Sequence, residues 1–122
     1  MIRNLTKKNI VSMTTERAES SAQKAKGLMF RKSMPEEHAL LMEFGSEGKH
    51  GIWMLCMRFP IDIVYLDRNK KVISIVENAR PVSINPFTWK IFHPERPARY
   101  VVELPAGKSF QKRIEKGDVL DL

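Results

Sequence analysis

The sequence predicts an α+β domain that is mainly β, with about seven short strands in a small barrel or a strongly curled, largely antiparallel sheet. Two observations predict this class. Short apolar runs recur along the chain with turn-forming Gly, Pro, Asn and Asp residues between them, and one segment near the N-terminus has the spacing of a solid helix. A short helical turn is expected near the C-terminus, and residues 1–122 are expected to form a single domain.

The N-terminal third is predicted to contain a strand, the helix and a second strand. Residues 10–13 are apolar enough for the first strand. Alanines recur at helical spacing from Glu16 to Lys26, which predicts a helix over that range. Thr14 or Thr15 is its expected N-cap. Residues 39–44 follow a proline turn and form the next predicted strand.

The middle of the chain is predicted to form core strands. Residues 52–57 and 61–66 are mostly apolar, and Pro60 separates them into two strands. Residues 61–66 are predicted to pair with residues 72–77, because the linker at 67–71 is rich in turn-forming residues and has the length of a hairpin loop.

The C-terminal third is predicted to combine proline-rich turns with short strands. Four prolines interrupt residues 81–97. Between them, the alternation of Phe87, Trp89 and Ile91 with polar residues predicts a short edge strand. Three further elements are predicted in chain order: a strand at 100–104, one or two helical turns within 108–116, and a terminal strand at 119–122.

Several separated motifs share their order and spacing with a known family. They are Gly27-Leu28-Met29-Phe30-Arg31, Met34-Pro35, Leu41 to Phe44, Trp53-Met54, Pro60-Ile61-Asp62-Ile63, Tyr100 to Gly107 and Gly117-Asp118-Val119. On these residues the chain resembles, across residues 10–122, the family called domain of unknown function 192. The resemblance implies a compact, mostly β domain of archaea and bacteria, and it brings no catalytic mechanism, cofactor or ligand. Leu55 and Cys56 stand where many relatives have a lysine and an asparagine, so a site built on those polar groups is not expected here.

The composition is that of a folded protein that needs no disulfide. Hydrophobic residues make up 43% and charged residues 29% of the chain, which is typical of globular proteins. Cys56 is the only cysteine, so neither an intramolecular disulfide nor an all-cysteine metal site can form. Residues 1–9 are too polar for a secretion signal. We therefore expect a cytoplasmic protein, with no contact to a membrane and no cofactor.

Charged residues on or beside apolar strands are the first candidates for a binding site, because an unpaired charge is costly to bury. They are Arg31, Arg58, Asp62, Arg99 and Glu103. One interpretation is an anion- or polyol-binding pocket, in which guanidinium groups hold the ligand and a carboxylate orients it. The other, favoured for Asp62, is a buried carboxylate bound by an arginine or a backbone amide, which fixes the strand register.

Aromatic residues between Pro81 and Pro97 are the second candidates. Phe87, Trp89 and Phe92 form either a platform for a sugar or a partner peptide, or a plug at one end of the barrel. This segment is expected to approach the charged candidates and to carry the contact surface for a ligand or a second subunit. The tentative ligand-binding residues are Arg31, Trp53, Arg58, Asp62, Trp89, His93, Arg99 and Glu103.

Cys56 is the candidate nucleophile, with a histidine as its base. The three histidines are His38, His50 and His93. We expect Cys56 to be inert, because it falls in an apolar strand, where thiols are mostly buried. A soft-metal site at Met54, Cys56 and Met57 is not expected, because on a strand Met57 points away from the other two.

The net charge of +7 allows an electrostatic attraction to nucleic acid. The basic residues, however, are scattered in pairs and accompany no base-reading element, so only weak, unspecific nucleic-acid binding is expected. The sequence favours a non-catalytic module that binds a small molecule or a protein partner, as a monomer or a weak homodimer. The alternatives are a small hydrolase that uses Cys56 or the carboxylate of Asp62 or Glu103, and a weak nucleic-acid binder.

Overall fold

The computed structural model describes residues 1–82 and 90–122 and is mainly β. The strands in this part of the chain are β1 (Ile2–Asn4), β2 (Asn9–Ser12), β3 (Thr14–Ala18), β4 (His38–Gly48), β5 (Ile52–Trp53), β6 (Ile61–Leu66), β7 (Val72–Ala79), β8 (Ile91–Phe92), β9 (Ala98–Pro105) and β10 (Leu120–Asp121). The two helices are short: α1 (Ser21–Lys26) and α2 (Lys108–Gln111). Neither helix is long and apolar enough to cross a membrane.

A five-stranded sheet is the centre of the fold, with the strand order β3-β4-β9-β6-β7. The β3–β4 pair is parallel and the other pairs are antiparallel. Side chains alternate between the two faces of this sheet. Leu40, Ile63 and Val101 belong to the apolar cluster on one face, which we call the pocket face. Leu41 and Val64 belong to the cluster on the other face, which we call the closed face.

Each face is covered by a small sheet. The closed face packs against the sheet β10-β1-β2, whose Ile2, Val11 and Leu120 side chains are buried in the same cluster. The pocket face packs against the pair β5-β8 and the segment after α1, which contribute Ile52 and Leu28 to the other cluster. The described strands therefore form layers of open sheets, and the predicted barrel is not confirmed.

The helix is shorter than predicted because its expected first turn is a strand. Residues 14–18 pair in parallel with β4, and Glu16 lies opposite Leu40. The N-cap is therefore Ser20, and neither Thr14 nor Thr15 has that role. The backbone N–H of Gln23 donates to Ser20 Oγ at 3.1 Å, and Ser20 N–H donates to Gln23 Oε1 at 3.1 Å. This reciprocal pair is a capping box, which fixes the start of the helix.

The predicted hairpin is confirmed. Strand β6 has the predicted bounds, and its partner β7 extends beyond residue 77 to Ala79. Strand β5 is shorter than predicted, because residues 54–57 form a turn in which Met57 N–H donates to the Met54 carbonyl at 3.2 Å. Of the predicted edge strand, Phe87 and Trp89 lie outside the described residues, and β8 begins at Ile91.

Asp62 is buried on the closed face, whereas Ile61 and Ile63 point to the pocket face. This is the alternation of side chains that the strand pattern predicts. Its Oδ1 accepts from Asn78 N–H at 2.9 Å. Its Oδ2 accepts from Gly107 N–H at 3.1 Å, Ser109 N–H at 2.9 Å and the Ser109 hydroxyl at 2.7 Å. In the described chain, the donors to Asp62 are thus backbone amides and a hydroxyl, and no arginine contributes.

Replacing Asp62 with alanine should lower the free energy of unfolding by about 3 kcal/mol, because the amides and the hydroxyl would stay buried without an acceptor. Asp121→Ala is the matched control, since Asp121 is exposed and should change the stability by less than about 0.5 kcal/mol. Urea denaturation of both variants measures the difference. A denaturation midpoint for Asp62→Ala equal to that of Asp121→Ala would contradict a structural role for Asp62.

Candidate functional site

A pocket of about 100 Å³ opens on the pocket face, between the end of α1, strand β5 and the central sheet. We call it the Glu103 pocket, after the carboxyl group among its lining residues. Its apolar lining includes Leu28, Met42, Trp53, Met54 and Met57. Trp53 is 43% exposed, whereas Met54 is fully buried. The lining thus extends from the core of the protein to its surface.

Glu103 is held in place by the centre of the sheet. Glu103 lies on β9 between Leu40 of β4 and Ile63 of β6, and it is only 3% exposed. No donor in residues 1–82 or 90–122 forms a hydrogen bond with its carboxyl group. Burial raises the pKa of Glu103 to about 7, although the positive charge of Arg31 acts in the opposite direction. The carboxyl group therefore changes its protonation state near neutral pH.

Arg31 is engaged by another carboxylate, Glu16. Its two terminal nitrogens donate to the two oxygens of Glu16 at 2.6 and 2.7 Å. These hydrogen bonds, together with a weaker contribution from His38, lower the pKa of Glu16 to about 2. Because its guanidinium fork is occupied, Arg31 influences the Glu103 pocket through its charge and does not offer a free fork to a ligand.

The other predicted site residues lie apart from one another. Trp53 and Glu103 line the same pocket, whereas Asp62 belongs to the opposite face of the sheet. Arg58 and His93 are exposed. Arg99 donates to the Phe44 carbonyl and lies 3.6 Å from Glu43, at the other end of β9. Trp89 lies outside the described residues, so its predicted role as a platform stays a prediction.

Methionines of the pocket were not among the predicted site residues. Met54 and Met57 were expected on opposite faces of one strand, but the turn at residues 54–57 directs both toward the pocket. Met42 reaches it from β4. The sequence offers no local signal for this arrangement, because a methionine in an apolar run reads as ordinary core packing.

The prediction that Cys56 is packed in a strand is wrong. Cys56 is exposed in the turn at residues 54–57 and has a φ of +61°. Its carbonyl accepts from Phe30 N–H at 2.9 Å, so its backbone is fixed while its side chain faces solvent. His38 bonds to Thr14, and His50 stacks on Phe44. In the described chain, neither of these histidines is hydrogen-bonded to the thiol as a base would be.

These observations define a small β-rich domain in which, among the described residues, the buried carboxyl group of Glu103 faces a pocket. The chain belongs to the family DUF192, described as an uncharacterized ACR, whose family model matches residues 2–122. This confirms the resemblance found in the sequence. Two similar relatives are UPF0127 proteins. The one from Pyrococcus furiosus is 30% identical over 97% of this chain and 94% of its own length. The one from Pyrococcus horikoshii is 32% identical over 83% and 80%.

Two solved structures share the fold. A protein described as a candidate transcription regulator from Sinorhizobium meliloti 1021 superimposes with a TM-score of 0.80 and 31% identity, over 88% of this chain and 79% of that one. A protein of unknown function from Novosphingobium aromaticivorans also gives a TM-score of 0.80, with 27% identity, over 88% and 74%. The fold of most of this chain is thus shared with solved structures.

Cys56 should react rapidly with a thiol reagent in the native protein, because its side chain is exposed. The measurement compares the rate of labelling by a disulfide reagent in buffer and in denaturant, with Cys56→Ser as the blank. Complete labelling before unfolding is the expected result. Protection that disappears only in denaturant would contradict the exposed position of the thiol.

The free energy of unfolding should fall as the pH rises from about 4.5 to 7, because native Glu103 keeps its proton over a range in which the unfolded chain releases it. The stability that depends on this proton is complete below the unfolded pKa and is lost as the pH passes the folded pKa. Glu103→Gln has no such proton to release. Between pH 4.5 and 7, the free energy of unfolding of the wild type should therefore fall by roughly 3 kcal/mol relative to that of this variant. Denaturant melts at several pH values measure this difference. Parallel pH profiles for the two proteins would contradict it.

Proposed function

We propose that this protein is a non-catalytic module that binds a small hydroxylated molecule in the Glu103 pocket. The observation that supports the proposal is the contrast between the two buried carboxyl groups of the central sheet. Asp62 accepts four hydrogen bonds, while Glu103 receives none from the described residues and faces a pocket. Buried polar groups normally have partners, and a bound hydroxyl would give Glu103 a partner that residues 1–82 and 90–122 do not supply.

The size of the pocket limits the ligand. Its volume of about 100 Å³ is smaller than the roughly 150 Å³ of a cavity that accepts benzene. A whole sugar ring or a nucleotide is too large to enter. The end of a polyol, with a few carbon atoms and their hydroxyl groups, has the right size. A larger ligand would place only such an end group inside the pocket.

The lining of the pocket agrees with this chemistry. The carboxyl group of Glu103 accepts a hydrogen bond from a hydroxyl group, and this bond is stronger when the carboxyl is ionised. The thioethers of Met42, Met54 and Met57 and the ring of Trp53 offer polarisable contacts to C–H groups. A combination of many apolar contacts with a few placed polar groups is typical of small-molecule sites.

Neither alternative function has comparable support. A hydrolase that uses Cys56 would need a base beside the thiol, and the histidines 38 and 50 are engaged elsewhere in the described structure. In a hydrolase that uses a carboxylate, Asp62 is not free to act, because it accepts four hydrogen bonds within the fold, and Glu103 has no second carboxylate among the described residues that line its pocket. The description of the Sinorhizobium meliloti protein refers to transcription, but no base-reading element is recognisable in this chain. We expect the binding module to act in the cytoplasm as a monomer or a weak homodimer.

The proposal is tested by thermal denaturation with increasing concentrations of glycerol, erythritol and other short polyols. A ligand that binds the folded state raises the melting temperature in a saturable manner. Glu103→Met keeps an unbranched side chain of similar length but removes the acceptor, so the saturable shift should disappear. The control is Glu77→Met, since Glu77 is exposed on β7 and does not line the pocket. A shift of equal size in all three proteins, or no saturable shift in wild type, would overturn the proposal.

A further inference from the structure

Two lysines line the Glu103 pocket: Lys24 and Lys26, both at the end of α1. The segments that supply the lining, or that adjoin it in the sequence or through the pairing of Trp53 with Ile91, are residues 24–32, 49–58 and 90–93. The charged residues of these segments are all basic: Lys24, Lys26, Arg31, Lys32, Lys49, Arg58 and Lys90.

Three of these seven side chains are already engaged. Lys24 donates to the Glu43 carbonyl at 3.0 Å, Arg31 is paired with Glu16, and the ammonium group of Lys90 lies 5.0 Å from the centroid of the Phe92 ring. Lys26 is exposed, lines the pocket itself, and forms no ion pair within the described structure. It is therefore the lysine best placed to meet a charged group at the mouth of the pocket.

We propose that the ligand of the Glu103 pocket is a phosphate monoester of a short polyol. Its hydroxyl end lies at Glu103, and its phosphate group lies at the mouth beside Lys26. This inference rests on the proposed function and adds the charge of the ligand to it. The size of the pocket supports the orientation, because a pocket of about 100 Å³, smaller than the roughly 150 Å³ of a cavity that accepts benzene, does not hold the whole ester and leaves the phosphate outside, beside Lys26.

The electrostatics of the two ends favour the same orientation. A concave site that carries one sign of charge raises the local concentration of ions of the opposite sign. A dianionic phosphate gains more from the basic mouth than a neutral polyol, and lysine is a common phosphate partner. Inside the pocket, the buried Glu103 is largely protonated below neutral pH, so it does not repel an anion under those conditions.

Calorimetric titration at low ionic strength with glycerol, glycerol 3-phosphate and inorganic phosphate tests the inference. Glycerol 3-phosphate should bind at least about tenfold more tightly than either fragment, since a charge-assisted hydrogen bond contributes this much. Added salt should reduce the gain. Lys26→Glu should abolish the gain, and Lys71→Glu should keep it. Lys71 provides the same charge change at an exposed position beside the far end of β6.

The outcomes separate this inference from the proposed function. If glycerol binds in a manner that depends on Glu103 but the phosphate group adds no affinity, the proposed polyol site stands and the inference of an anionic ligand is overturned. Binding of glycerol 3-phosphate that is unchanged in Glu103→Met would indicate an adventitious ion only and overturn the inference as well. Equal effects of Lys26→Glu and Lys71→Glu would show a general effect of net charge and overturn the role of Lys26. The melting temperature of each variant, measured without ligand, checks that the fold is intact.

The same chemical group occurs free in solution and as the headgroup of phosphatidylglycerol. Flotation with phosphatidylcholine vesicles, with and without phosphatidylglycerol, distinguishes the two sources. A lipid headgroup would be identified by binding to the phosphatidylglycerol vesicles. This binding should be abolished by Lys26→Glu and should be displaced by soluble glycerol 3-phosphate. Binding of the soluble ester alone would identify a free metabolite. Both results support the phosphate ester, and failure of both ligands overturns it.

Discussion

The buried carboxylate of Asp62 is the interaction on which the C-terminal part of the fold depends. It joins three segments that are distant in sequence: strand β6, the irregular end of β7 at Asn78, and the turn that leads from β9 into α2. Asn78 has a φ of +52°, which is unfavourable for most residues. Its hydrogen bond to Asp62 helps to hold that conformation. The four-residue helix α2 also begins at this carboxylate, which accepts from the amides of the N-cap Gly107 and of Ser109 in the first turn.

The register of the sheet gives the two buried carboxyl groups different roles. Asp62 lies opposite Leu104, and Ile63 lies opposite Glu103, so the two acids occupy neighbouring strands but point to opposite faces. On the closed face, a turn and a helix supply donors to Asp62. On the pocket face, the neighbours of Glu103 are apolar side chains and a cavity. Asp62 is thus bound within the fold, whereas Glu103 is the group that we propose to bind a ligand.

Local patterns in the sequence predicted the parts of the fold that local interactions determine. The β6–β7 hairpin and the burial of Asp62 follow from alternation and turn residues, and they were predicted correctly. The capping box at Ser20 was also visible as Ser-x-x-Gln, but the alanine spacing outweighed it. The parallel pairing of β3 with β4 joins residues that are far apart in sequence, so no local pattern predicts it. The same reason explains why the methionines of the pocket were missed, whereas Glu103, a charged residue on an apolar strand, was singled out in the sequence and lines the pocket.

The lysines that line the pocket also affect how the molecule meets a charged surface. Lys26 is exposed, and Lys24 and Lys26 both belong to the lining. A negatively charged support attracts such groups over a distance of about one Debye length. Immobilisation through these lysines would consequently cover the pocket, whereas attachment through the opposite side would leave it open to solvent.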